Sequence, residues 1–127
     1  MRLLVVIDVV SKLIGIYKIT NTKNGKVYIG QTNNIGKRKE QHFSALDKGK
    51  HENKLMQTDY NSWKSYFTFE IVEQCYLSLL NEREKYWIGY YKADDPRFGY
   101  NLTAGGGSRK RKNAHNRPTC LLDELTD

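Results

Sequence analysis

The stretch LIGIYKITNTKNGKVYIGQ, from Leu13 to Gln31, decides the fold of this chain. β-favouring residues cluster from Leu13 to Thr22 and again from Lys26 to Gln31, with Lys23-Asn24-Gly25 between them. Asn-Gly is a strong signal for a tight turn, so the spacing predicts an antiparallel hairpin. With Asn24-Gly25 as a two-residue turn, Lys23 pairs with Lys26 and Asn21 faces Tyr28. Side chains alternate between the faces of a strand, which puts Tyr17 and Tyr28 on one surface. Tyrosines so placed either pack against a helix or line a site, and the hairpin alone leaves both readings open.

Beyond the hairpin the pattern changes period. Ile35, His42, Phe43 and Leu46 recur at helical spacing, with Asn33 or Asn34 as the cap, predicting a helix over 35–48. A shorter helix is expected over 53–64, a third strand over 66–75 from the alternation of Phe67, Phe69 and Ile71, and a last helix over 77–91. Asp95-Pro96 and Phe98-Gly99 are turn signals, and Ala104-Gly105-Gly106-Gly107-Ser108 reads as a flexible exit. The order predicts an α+β domain: a small three-stranded antiparallel or mixed sheet flanked by helices. Residues 1–12 form an N-terminal extension, 13–104 the folded domain and 105–127 a basic, mostly disordered tail that includes Arg109-Lys110-Arg111-Lys112.

A chain of 127 residues suits one such domain, and nine Tyr, four Phe and two Trp offer bulky side chains for a small core. Its 21 Lys and Arg exceed 14 Asp and Glu, and the resulting charge of +7 favours a polyanionic partner, nucleic acid first among them. Cys75 and Cys120 form no CxxC or zinc spacing, which argues against a disulfide scaffold or zinc finger and for a reducing compartment. The apolar run from Leu3 to Val10 is interrupted by Asp8, lacks a small-residue cleavage site and is too short to span a bilayer. An intracellular protein without a signal peptide or membrane span is therefore expected.

Two groups of residues carry chemistry. On the helix 77–91, about 100° per residue places Leu77, Leu80, Trp87, Ile88 and Tyr91 within about 60° of Glu84, whereas Glu82 points away. A carboxylate in an apolar stripe must be protonated, pair with a cation such as an arginine, or hold a metal. Arg38 and His42 lie four apart and hence side by side on the first helix, with Lys37 and Lys39 near them. They form either a solvated basic face or a phosphate site, in which Arg supplies a planar fork and His a proton donor or acceptor near neutrality.

These residues coincide with a known pattern. From about Ile14 to Asn101 the chain resembles the GIY-YIG nucleases, most closely their homing-endonuclease and viral branch. Gly15-Ile16-Tyr17 and Tyr28-Ile29-Gly30 are similar to the two halves of the family name, ten residues apart. Lys37-Arg38 with His42, the segment Glu82 to Ile88, and Gly99-Tyr100-Asn101-Leu102 resemble its later motifs, and His51 its second histidine. Lys39 stands where an aromatic residue is often found, and Gly36 weakens the start of the first helix.

The resemblance implies a metal-dependent DNA endonuclease, with a binding module of the same fold but weak or absent catalysis as the alternative. It implies one Mg²⁺ or Mn²⁺ held by Glu84, Arg38 neutralising the phosphate, and Tyr17 activating or positioning the attacking water, with His42 as the alternative base. The metal, Arg38 or Lys26 would lower the Tyr17 pKa from ~10. Tyr28 and Asn101 would orient these groups. Gly15, Lys26, Gly30, Lys37, Lys39 and His51 would contact DNA, the two glycines by letting its backbone approach.

Overall fold

The structure, a computed structural model, describes residues 12–106. The expectations for residues 1–11 and 107–127 lie outside the described residues. Three strands form one sheet: β1 (Gly15–Asn21), β2 (Val27–Thr32) and β3 (Phe67–Gln74), in the order β2-β1-β3 with both pairings antiparallel. Three helices flank it: α1 (Ile35–Asp47), α2 (Lys54–Trp63) and α3 (Leu80–Tyr91).

Alternation along the central strand divides the core in two. Tyr17 and Ile19 face a cluster with Ile35 and Leu46 of α1, Met56 and Tyr60 of α2, and Tyr100. Ile16 faces the other way, joining Val27 and Ile29 of β2 to Leu80 and Ile88 of α3. The result is a sheet with α1 and α2 on one face and α3 on the other. Both early helices begin at asparagine caps: the Asn34 side chain accepts from the Lys37 N–H and that of Asn53 from the Met56 N–H. The last helix is shorter than its apolar spacing suggests. A 3-10 turn occupies Leu77–Leu79, so Leu77 leaves the helical stripe and is 60% exposed.

The hairpin differs from expectation in its turn. Ile19 pairs with Tyr28, and the Asn21 N–H donates to the Lys26 carbonyl at 2.9 Å, leaving a four-residue loop in which Gly25 takes φ +82°. Asn21 and Asn24 side chains stabilise it by accepting from the N–H groups of Lys23 and Lys26. The register has moved by two residues, an even number, so Tyr17 and Tyr28 still share a face.

The outer edge of β2 is closed by the segment that follows α3. The Val27 N–H donates to the Phe98 carbonyl and the Tyr100 N–H to the Val27 carbonyl, a parallel bridge. Two residues on, the Asn101 side chain acts as a strand would: Oδ1 accepts from the Ile29 N–H and Nδ2 donates to its carbonyl, both at 2.8 Å.

Two glycines expected to let DNA approach make room for the protein itself. Gly15 lies beside a bulge where β3 crowds β1, and a Cβ there would come within 2.2 Å of the Glu73 carbonyl oxygen. Opposite Tyr17, Gly30 is covered by that side chain, and a Cβ would meet the Tyr17 hydroxyl at 2.2 Å. Gly30→Ala is therefore expected to displace Tyr17 and destabilise the fold by about 1–3 kcal/mol, as overpacking of a core does. Urea unfolding checks this; an unchanged midpoint would show that the ring needs no such slot.

Candidate active site

Crossing Gly30, the Tyr17 side chain reaches toward β2, the edge strand of the sheet, and meets two groups from α1. Arg38 Nε donates to the Tyr17 oxygen at 3.3 Å, and His42 Nε2 lies 2.6 Å from it. The spacing of four puts Arg38 and His42 on one helical face, and that face looks at the tyrosine. Arg38 is further held by Nη1 donating to Gln41 Oε1 at 3.1 Å. The Tyr28 ring stands 6.5 Å from that of Tyr17 and 5.4 Å from that of His42, centroid to centroid.

Behind His42 stands His51. The rings stack at 15°, with Nδ1 of His42 2.7 Å from Nε2 of His51. At only 4% exposure, His51 is not on the surface where a DNA contact was expected; its place is inside, supporting His42. Its own Nδ1 accepts from the Asn53 N–H at 3.0 Å, and its N–H donates to Gln57 Oε1 at 2.9 Å.

Glu84 arrives from the opposite face of the sheet, on α3. It is half-buried, as the helical arithmetic requires, and two neutral donors reach it. Gln31 Nε2 donates to Oε1 at 2.9 Å and the Gly106 N–H to the same oxygen at 3.0 Å. The adjacent arginine, Arg83, pairs instead with Glu73, at 2.7 Å. Gln31 follows Gly30 directly and also donates to Asn81 Oδ1 at 2.8 Å. Adjacent residues of β2 thus serve the two faces, Gly30 by accommodating Tyr17 and Gln31 by steadying Glu84. The charge of Glu84 acts on the Tyr17 phenol across this edge.

The remaining candidates are more distant. Lys26 sits opposite Asn21 at the loop end of the hairpin, four residues along from the Tyr17–Gly30 pair, about 13 Å at the usual rise per residue. Of the two side chains expected to tune Tyr17, Arg38 and Lys26, it is Arg38 whose charge acts on it. Lys37 and Lys39 are exposed on α1 beside Arg38. Asn101 holds the β2 backbone and not the reacting groups. Gln31 and Asn53 escaped sequence reasoning. The parity of Gln31 with Ile29 was the available signal, since it sends that amide toward α3.

Burial dominates the electrostatics. It pushes the Tyr17 phenol well above its ordinary value, with the Tyr28 charge adding to the rise and Arg38 opposing it. Arg38 lowers it, as expected of a neighbouring cation, but burial outweighs Arg38, and the protein's own groups leave the phenol protonated at neutral pH. His42 is lowered to about 3, first by burial and then by the charges of Arg38 and His51. His51 is lowered too, chiefly by burial. Both imidazoles are neutral near pH 7, so His42 supplies no positive charge there.

A neutral buried histidine makes acid destabilising. Below pH ~6.5 the unfolded chain binds a proton at position 42 that the folded chain refuses until about pH 3. Stability should fall as pH drops through that window, by up to about 1.4 kcal/mol per pH unit for a single such group. Urea midpoints at pH 7, 6 and 5 test this: a decline in the native chain, reduced in His42→Gln, is expected, and a flat native profile would refute the neutral, buried state.

Comparison with known proteins agrees with this geometry. The family description "GIY-YIG catalytic domain" matches residues 13–101. Intron-associated endonuclease 1 of Enterobacteria phage T4 is 40% identical over 76 residues, which cover 58% of this chain and 31% of that protein. The chain thus spans under a third of that relative's length. A point mutant of the catalytic domain of intron endonuclease I-TevI has 34% identity and a TM-score of 0.66, over 73% of this chain and 96% of that one. The catalytic domain of homing endonuclease I-TevI has 35% identity and a TM-score of 0.65, over 71% of this chain and 98% of that one. Sequence and fold agree: this chain belongs to the GIY-YIG nuclease family.

Proposed function

We propose that this domain hydrolyses phosphodiester bonds of DNA with one Mg²⁺ or Mn²⁺ ion held at Glu84. The observation that carries the reading is the convergence at one sheet edge: Tyr17, Arg38 and His42 come over Gly30 from one face, and Glu84 is steadied by Gln31 on the other. GIY-YIG nucleases are generally dependent on a divalent metal. Among the described residues no three His, Cys, Asp or Glu side chains gather to enclose a metal. A lone carboxylate suits a hard cation that keeps most of its water, as Mg²⁺ does, and does not suit a structural zinc cage. When bound, such an ion supplies positive charge to a phosphate oxygen and to the leaving oxygen.

The protein's own groups divide the remaining work. In hydrolysis a water oxygen bonds to phosphorus, the ester P–O bond breaks, the water gives up a proton and the leaving oxygen gains one. Arg38 is permanently charged and held at two of its nitrogens, so it offsets the charge that builds on the phosphate. Tyr17, as a protonated phenol, hydrogen-bonds and positions the attacking water; the water's proton passes to bulk solvent, which also supplies the one gained by the leaving oxygen. Lys37 and Lys39 add contacts to neighbouring phosphates, which would make binding weaken with salt. The homing-type action of the larger relative is extended here to cutting of DNA alone, since the chain matches only part of that protein.

Nicking of supercoiled plasmid in Mg²⁺, Mn²⁺ or EDTA tests the reading. Glu84→Gln and Arg38→Ala should each reduce cutting by about 100-fold or more, the usual effect of removing one group that stabilises a transition state, while circular dichroism stays native. Cutting that persists in EDTA or in Glu84→Gln would overturn the metal assignment. Salt-dependent DNA binding without cutting by the native chain would favour the binding module.

A further inference from the structure

The hydrogen-bond chain behind Tyr17 has a direction, set by a backbone amide. The Asn53 N–H can only donate, and it lies 3.0 Å from His51 Nδ1, so that nitrogen carries a lone pair. A neutral imidazole holds one proton, which in His51 must be on Nε2 and is donated to His42 Nδ1 across 2.7 Å. The same count puts the proton of His42 on Nε2, facing the Tyr17 oxygen at 2.6 Å. Arg38 Nε, also only a donor, faces that oxygen at 3.3 Å. The Tyr17 oxygen accepts twice, and its own proton finds no acceptor among the described residues.

The opposite polarity is excluded by the far end. If Tyr17 donated to His42, the His42 proton would move to Nδ1 and that of His51 to its own Nδ1, where it would confront the Asn53 N–H. Asn53 cannot easily yield, because it caps α2: its Oδ1 accepts from the Met56 N–H at 3.0 Å and its Nδ2 donates to the Tyr100 carbonyl at 2.6 Å. The His51 backbone is pinned as well, through its N–H and Gln57.

We infer that His51, oriented by the Asn53 amide, is a positioning residue that acts through His42 to fix the polarity of Tyr17, so that the tyrosine oxygen receives two donors and its own proton is turned toward the substrate. His42 then serves Tyr17 as a donor and is not the base that removes the phenol's proton. Two N–H donors aimed at one oxygen also favour the phenolate once that proton has left. The value of this polarity to the reaction rests on the proposed nuclease function; the polarity itself does not.

Two measurements separate them. In a chain carrying ¹⁵N-histidine, the ring nitrogen shifts at neutral pH should report the Nε2–H tautomer for both His42 and His51, and His51→Ala should make His42 a mixture. An Nδ1–H tautomer at either position in the native chain overturns the inference. For the reaction, His42→Gln keeps a donor that cannot take a proton, whereas His42→Glu keeps an acceptor that, ionised, cannot donate. The glutamine variant should cut at least about tenfold faster than the glutamate variant, in kcat rather than KM. Equal rates, or a faster glutamate variant, would overturn the catalytic meaning of the polarity. Absence of cutting by the native chain would count against the nuclease reading and leave the tautomer result to decide the rest.

Discussion

The passage of the Tyr17 ring over Gly30 is the contact on which the site depends. It takes a side chain from the centre of the sheet to its edge, where groups from both faces come within electrostatic reach of one another. A methyl group at position 30 would fill that path. Without it Tyr17 would have to stand up from the sheet like Ile19, into the core shared with α1 and α2, and would no longer meet Arg38 and His42 together. The two halves of the family motif are therefore one mechanical unit: a tyrosine on one strand and, opposite it, the absence of a side chain.

What supports this unit is layered by polarity. Nearest the tyrosine are two α1 groups; behind them His51; and behind His51 the first turn of α2, with Asn53 and Gln57. Each buried polar atom in this series finds a partner in the next layer, as a dry interior demands. The cost of burying two imidazoles is met by keeping them neutral, which is why the same network that orders the site should weaken the protein in acid.

Much of this was legible in the sequence, and the failures are instructive. The hairpin was readable from its composition, and its faces survived a wrong turn because the error in register was even. Glu84 stood out because helical geometry is local, and a single turn of arithmetic sets it among Leu80, Trp87 and Ile88. Its partners did not stand out, since Gln31 and Gly106 lie far away in sequence and an amide donor leaves no charge pattern to detect. His51 was given a DNA contact on the family resemblance alone; it falls between helices, where no periodicity reports burial. Leu77 misled for the opposite reason: its spacing fitted the stripe, but the chain there had not yet become an α-helix.

The closure of β2 by residues 98–101 makes the sheet asymmetric in what it offers to other molecules. On one border the main-chain bridge at Val27 and the amide of Asn101 at Ile29 occupy the backbone groups that a further strand would need there. The opposite border, β3, pairs with no further strand among the described residues. That strand carries Glu70 and Glu73, paired with Lys18 and Arg83, and its pairing with β1 is interrupted by a bulge. The two borders thus offer different chemistry: on one the main chain is already engaged at Val27 and Ile29, and on the other the backbone edge lies beside paired acidic and basic side chains.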